Sequence, residues 1–227
     1  MHGEDAMRVD ALIFDLDGTL ANTLDDIADS MNVVLGRFGL PTHGRDAYRV
    51  FVGEGVAKLA ERAVPPDRAD LVKAVISAFR ERYAEHMLDQ AAPYPGVPDL
   101  LDALAGRGVP LAVLSNKPDA LTAHIVRAIF PRTRFSAVRG QREGVPRKPD
   151  PTVAIALARE LATDPRDCGF VGDTRTDMET AVAAGMVAIG VLWGFRDRAE
   201  LVEHGAKVLL ERPEQLVSLV GDGAARA

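Results

Sequence analysis

Near its start the chain changes polarity once, abruptly. Positions 11–14 (Ala-Leu-Ile-Phe) are unbroken apolar, and Asp15, Leu16, Asp17 and Gly18 follow directly. A short continuous apolar run suits a strand buried on both faces, as in the middle of a parallel sheet. Such a strand ends where polarity begins. The pattern therefore predicts both acids at the carboxyl edge, where open α/β sheets bind their ligands. From 23 to 90 the period is helical instead. Leu24, Ile27, Met31, Val34, Leu35 and Phe38 recur at helical spacing, Asn22-Thr23 can cap the start, Asp25 and Asp26 suit its positive end, and Gly39 stops it. A loop at 41–44 and a shorter helical piece lead to Val52-Gly53-Glu54-Gly55, after which Val56, Leu59 and Ala60 resume the period. Pro65-Pro66-Asp67 then opens a long helix through Val72, Val75, Ile76, Phe79, Tyr83 and Met87. No β-type alternation interrupts this stretch.

A proline-rich linker at 92–97 marks a return to alternating units. Helix is predicted at 97–105, 120–130, 151–161 and 176–184. Strand is predicted at 111–114, 135–138, 168–171, 187–192 and 207–210, and 221–227 reads as a frayed tail. Repeated strand–helix units predict an α/β fold with a doubly wound parallel sheet. The expected organisation is a catalytic core at 1–21 and 93–227, with an all-helical cap inserted at 22–92.

Composition narrows the partners. The chain has 227 residues and a net charge of -6, which argues against a general nucleic-acid surface and makes any phosphate binding local. Its one cysteine, Cys168, allows no internal disulfide and fits a reducing compartment. No window approaches ~18 uninterrupted apolar residues, so no membrane span is expected. The leader 1–8 is short, polar and acidic, unlike a signal peptide. The expected location is the cytoplasm.

The chemistry gathers at strand ends. Ser115-Asn116 ends the second strand of the core, Gly172-Asp173 ends the fourth, and Lys148 lies in Arg147-Lys148-Pro149-Asp150-Pro151 just before a helix. In one parallel sheet these ends share an edge, so they converge on Asp15 and Asp17. Each piece alone is ordinary: an acid pair or Ser-Asn-Lys-Pro is usually a turn, and Lys-Pro-Asp-Pro can serve only to start a helix. Their joint placement, in order, at successive strand ends is not ordinary. Phosphoryl transfer needs a nucleophile, neutralised equatorial oxygens and a proton for the leaving group. Asp15 and Asp173 offer carboxylates for a hard cation such as Mg²⁺. Ser115 and Asn116 offer hydroxyl and amide contacts, Lys148 a positive charge, and Gly18 a close backbone approach to bound phosphate. Asp17 can give and then take a proton.

Asp15-Leu16-Asp17-Gly18-Thr19 resembles the first motif of the haloacid-dehalogenase-like (HAD) phosphatases. Ser115-Asn116, Lys148 and Gly172-Asp173-Thr174-Arg175-Thr176-Asp177 resemble the second, third and fourth. The resemblance implies a Rossmann-like core and Asp15 as the nucleophile that becomes an aspartyl-phosphate. It implies Asp17 as general acid/base, and Mg²⁺ held by the Asp15 carboxylate, the Asp17 carbonyl and Asp173, with Asp177 acting through water. The helical insert is similar to the family's first type of cap, whose substrate-specificity loop matches Gly53, Glu54 and Gly55. Gly53-x-Gly55 with Leu59 and Glu61-Arg62, then Val191-Leu192-Trp193-Gly194-Phe195 and Pro213-Glu214-Gln215-Leu216, resemble phosphoglycolate phosphatases. Asn22 departs from that pattern, where many such phosphatases carry Asp.

The expected function is therefore Mg²⁺-dependent hydrolysis of a small phosphorylated metabolite, 2-phosphoglycolate first among them. A phosphomutase of the β-phosphoglucomutase kind, or a pyrophosphatase, would use the same scaffold. A receiver-like phospho-acceptor also gathers acids and a lysine around Mg²⁺, but has neither the acid at the position of Asp17 nor the helical insert. Dehalogenase relatives likewise do not keep that second acid. The arginines at 132, 134, 139, 142 and 147 are read as a solvated loop face.

Overall fold

In the computed structural model, which describes residues 8–221, β1 (Ala11–Phe14) lies inside a parallel sheet with all its residues buried. Leu12 and Phe14 pack into one hydrophobic cluster, and Ala11 and Ile13 into another. A strand with a core on each face has no position for a polar side chain, which explains the unbroken apolar run.

After β1 come β2 (Ala21–Asn22), α1 (Leu24–Arg37), α2 (Arg45–Phe51) and α3 (Val56–Ala63). A 3-10 stretch at Pro66–Leu71 precedes α4 (Val72–His86). The long helix expected from Pro65 thus begins later, because Arg68 breaks the helical dihedrals with φ -120°. β3 (Ala92–Pro93) closes the segment by pairing antiparallel with β2. That ribbon is too short to leave an alternation in the sequence. Asp26, buried in α1, accepts hydrogen bonds from the backbone N–H groups of Gln90 and Ala91, both at 2.9 Å. One carboxylate thereby ties the end of the helical segment to its beginning.

The alternation then runs α5 (Val97–Gly106), β4 (Leu111–Pro118), α6 (Asp119–Ile129), β5 (Ala137–Gln141), α7 (Thr152–Glu160), β6 (Cys168–Gly172), α8 (Arg175–Ala183), β7 (Val187–Val191), α9 (Arg198–Glu203) and β8 (Val208–Leu210). The sheet order is β5-β4-β1-β6-β7-β8, parallel throughout, which is the doubly wound, Rossmann-like arrangement predicted. β4 continues past its expected end, with a register break between Leu114 and Pro118 that carries Ser115, Asn116 and Lys117 along the sheet edge. β5 starts at Ala137, later than expected. α9 and a 3-10 stretch at Pro213–Leu219 are additions, too short to show a helical period. Cys168 is buried, and burial pushes its thiol up to about 12, as suits a structural cysteine. Among the described residues no helix is long and apolar enough to cross a membrane. The readings of leader and tail fall largely on residues 1–7 and 222–227, outside those described.

Candidate active site

Register decides what meets. Phe14 stands opposite Val113 in β4 and Val171 in β6, so the residues that follow these three reach one level of the sheet edge. From β1 the strand order runs to β4 and β5 on one side and to β6, β7 and β8 on the other. The crevice at that reversal is the usual ligand position of an open α/β sheet.

Lys148 sits at its centre. Its Nζ donates to Asp15 Oδ1 and to Asp177 Oδ1, each at 2.7 Å, and the residue is only 5% exposed. The peptide bond from Lys148 to Pro149 is cis. Asp15 Oδ2 has no hydrogen-bond partner among the described residues. The Oδ2 of Asp177 accepts from the backbone N–H of Thr174 at 3.0 Å and from its hydroxyl at 2.7 Å, within the capping box of α8. One carboxylate thus caps α8 through Oδ2 and meets Lys148 through Oδ1. Asp173 Oδ1 accepts from the Thr19 hydroxyl at 3.1 Å, and its Oδ2 from the backbone N–H of Phe195 at 2.7 Å. Carboxylate oxygens of Asp15, Asp173 and Asp177 lie within 4.8 Å of one another, all buried. Gly18 has φ +90°, and a Cβ there would collide with the Asp173 carboxylate. Only glycine lets the backbone pass so close to that acid.

Three acids are buried together, and two of them, Asp15 and Asp177, share Lys148. Burial raises the Asp15 carboxyl to about 7; Lys148 opposes the rise, while Asp177 and Asp17 add to it. Asp173 is raised well above the usual carboxylate range by burial and by Asp177 and Asp15. Burial alone would lower Lys148, but Asp15 and Asp177 outweigh it and hold the ammonium charged. The cluster lacks positive charge, and protons or a cation can supply it.

Asp17 makes a separate set of contacts. Its Oδ1 accepts from the Thr23 hydroxyl at 2.5 Å and from Lys117 Nζ at 2.5 Å. Thr23 precedes α1, but its hydroxyl caps nothing there; Asn22 Oδ1 accepts from the Leu24 N–H instead, at 3.3 Å. Lys117 also bonds the hydroxyl of Tyr83 in α4, at 2.8 Å. Sequence reading missed Lys117, Tyr83, Thr19 and Thr23. Lys117 stood inside the quoted Ser-Asn-Lys-Pro turn, and Tyr83 stood on the apolar stripe of α4. The available signal was chemical: a tyrosine on a buried stripe needs a partner for its hydroxyl.

The second motif faces the cleft and the loop above it. Ser115 Oγ accepts from the Lys117 N–H at 3.2 Å. The Asn116 amide donates to the carbonyls of Gly53 and Lys148, both at 3.1 Å. Gly55 has φ +86° and lies beside the Asn116 carbonyl and Arg147; the positive φ, not lack of space, favours glycine there. Gly53 and Gly55 line the cleft, whereas the Glu54 carboxylate pairs with Arg62 and, at 2.9 Å, with Arg175. Arg49 donates to the carbonyl of Gly194 at 2.5 Å, and Arg196 reciprocates to Val50 at 3.1 Å and Val52 at 3.0 Å. Within the basic stretch, Arg139 pairs with Glu160 at 2.9 Å, while Arg147 reaches the Glu54 carbonyl at 3.2 Å. That last arginine joins the cleft loop to the core. The cleft is open to solvent and is lined on its polar side by Asp15, Asp17, Ser115 and Asn116. Ile27, Val52, Val56, Leu59, Phe79 and Leu121 form apolar walls.

Known proteins resemble this chain over most of its length. A family model described as haloacid dehalogenase-like hydrolase matches residues 12–191. A phosphoglycolate phosphatase from Chromobacterium violaceum is 32% identical over 221 residues, spanning 95% of this chain and 98% of the relative. One from Aquifex aeolicus is 32% identical over 214 residues, spanning 94% and 97%. Among solved structures, a protein from Lactobacillus delbrueckii subsp. bulgaricus, provisionally assigned as a phosphoglycolate phosphatase, superposes with a TM-score of 0.87 at 29% identity. That match covers 93% of this chain and 98% of the other. The chain belongs to the haloacid dehalogenase-like hydrolase family.

Proposed function

We propose that this chain is a Mg²⁺-dependent phosphatase that hydrolyses a small phosphate monoester, 2-phosphoglycolate above all, through an aspartyl-phosphate on Asp15. The observation that carries the reading is the division of labour at the sheet edge. Asp15 has one oxygen on Lys148 and the other without a partner among the described residues, while Asp17 has its own partners beside the same cleft. The substrate assignment draws on the relatives, which are phosphoglycolate phosphatases over nearly their whole length.

The acidic cluster fits a hard divalent cation. Its donors are carboxylate oxygens buried within 4.8 Å of one another, and among the described residues the only cation paired with them is Lys148, which meets Asp15 and Asp177. Asp15, Asp173 and the Asp17 carbonyl would hold the ion, with Asp177 supporting it through water. When bound, Mg²⁺ supplies positive charge against which a carboxylate and a phosphate dianion can approach.

Asp15 Oδ2 attacks phosphorus, and the bond from phosphorus to the ester oxygen breaks. Asp17 delivers its proton to that departing oxygen, then takes one from the water that attacks the aspartyl-phosphate, releasing phosphate and Asp15. Lys148 neutralises a phosphate oxygen; Ser115, Asn116 and the backbone at Gly18 take the others. The segment 22–92 acts as a cap, with its Gly53-Glu54-Gly55 loop over the cleft excluding water. The buried single cysteine suits a cytoplasmic enzyme.

Phosphate release from 2-phosphoglycolate, β-glucose 1-phosphate and pyrophosphate tests the reading. Release is expected to be fastest from 2-phosphoglycolate, to stop in excess chelator and to return with Mg²⁺. Isomerisation of the sugar phosphate without release would indicate a mutase. Full activity in chelator would end the metal assignment.

The raised acids add a pH dependence. A carboxyl raised from 3.8 to about 7 in the folded chain stabilises it below its unfolded value and loses that contribution as pH rises through about 7. The metal-free protein should therefore lose stability across that interval. Protons and Mg²⁺ compete for the same oxygens, so saturating Mg²⁺ should raise Tm by several degrees near about pH 8 and much less near about pH 5. Equal shifts at both pH values would place the ion elsewhere.

A further inference from the structure

The catalytic steps above use Asp17 but leave unexplained the lysine beside it. Lys117 is 8% exposed, its Nζ lies 2.5 Å from Asp17 Oδ1 and 2.8 Å from the Tyr83 hydroxyl, and it stands 4.9 Å from the centre of the Tyr83 ring. Burying an ammonium carries a large desolvation cost. Here the register break in β4 brings it to the sheet edge, and it lines the cleft together with Tyr83. An ammonium has three donors, and two are engaged.

We infer that Lys117, seated by Tyr83, determines specificity by receiving a substrate carboxylate one carbon away from the ester oxygen. The inference rests on the 2-phosphoglycolate reading and deepens it by naming the residue that recognises the substrate's carboxylate. Asp17 must reach the ester oxygen to protonate it. In such an acid the carboxylate carbon lies two bonds further, roughly 2.4 Å by standard covalent geometry. Nζ of Lys117 lies 2.5 Å from Asp17 Oδ1 and lines the same cleft, so a carboxylate two bonds from an ester oxygen in reach of Asp17 would come near its third donor. The Tyr83 hydroxyl accepts from Lys117 and has its own proton to offer. The other buried cation, Lys148, is held by Asp15 and Asp177. Arg80 also lines the cleft but is exposed, at the solvent side of α4. With Ser115 and Asn116 assigned to the phosphate, the other walls are apolar, and a carboxylate facing them without a partner would be strongly disfavoured.

The test compares kcat/KM for 2-phosphoglycolate and for ethyl phosphate, in which a methyl group replaces the carboxylate. The wild-type enzyme is expected to prefer 2-phosphoglycolate by about 100-fold or more. Lys117→Gln should bring the two within about tenfold, with the loss falling on 2-phosphoglycolate. Lys117→Arg should restore part of the preference. Tyr83→Phe removes one oxygen from a residue that otherwise keeps its packing, and should erode the same ratio. It carries the test if Lys117→Gln does not fold. A lysine that only holds Asp17 in place would lower both substrates alike; an unchanged ratio in both variants would overturn the inference while the substrate reading stands. Collapse of the ratio in Arg80→Ala, with Lys117→Gln unaffected, would also overturn it by moving the carboxylate to the rim. A wild-type enzyme with no preference between the two substrates would instead refute the phosphoglycolate reading, and the inference with it.

Discussion

Replacing Asp15 with Asn should leave a folded protein whose kcat is lower by ~10⁴-fold or more, the scale of removing a covalent nucleophile. The amide keeps a carbonyl oxygen that can still accept from Lys148, so the central contact of the site survives. What disappears is an attacking oxygen, and with it one carboxylate for the cation. The substitution also removes a charge that burial disfavours. The metal-free variant should therefore be at least as stable as the wild type above about pH 7, and its Tm should fall less between acid and neutral pH. Phosphate release and thermal melts across pH read both effects. Substantial turnover by Asp15→Asn would remove it as nucleophile.

Asp17→Asn should instead cost an amount set by the leaving group. The variant cannot protonate an alkoxide, so hydrolysis of 2-phosphoglycolate should fall by roughly 10²–10⁴-fold. p-Nitrophenyl phosphate, whose leaving group departs without a proton, should lose less than about tenfold in the first chemical step. The backbone carbonyl of residue 17 is unchanged by the substitution. Lys117 is more exposed to damage, since Asn gives its buried ammonium a neutral partner in place of a carboxylate. For that reason the ratio between the two substrates is the measure, rather than either rate alone. Equal losses in that first step would make Asp17 a structural partner of Lys117 and Thr23.

Much of this arrangement was readable because its parts obey strong local rules. An unbroken apolar run followed by acids can hardly be anything but a buried strand ending at a sheet edge, and β1 is that. The same reasoning located Asp173 beyond β6, and the shared edge followed from strand–helix alternation. What escaped was set by tertiary partners. Lys117 lay within Ser-Asn-Lys-Pro, which sequence reading ended as a turn, whereas pairing with β5 continues to Pro118. Tyr83 satisfied the helical stripe of α4 as an apolar residue, and nothing local announces that its hydroxyl meets a lysine far away in sequence. Thr23 matched a helix cap, but Asp17 competes for its hydroxyl and wins. The β2–β3 ribbon rests on pairing at two positions, too few to pattern a sequence. Composition could not assign the arginines individually, because Arg139, Arg147 and Arg196 differ only in which acid or carbonyl each one meets.

The proposed mechanism turns on a covalent bond between Asp15 and phosphorus. Rapid quenching of Asp17→Asn during turnover of phosphorus-labelled p-nitrophenyl phosphate addresses it directly. Formation of the intermediate needs no acid with this substrate, while its hydrolysis lacks the base, so label should accumulate on the protein. Mapping of the labelled peptide should place it on Asp15, and the double variant Asp15→Asn, Asp17→Asn should retain none. Label on any other residue, or release of nitrophenolate with no labelled protein at any time, would contradict the assignment.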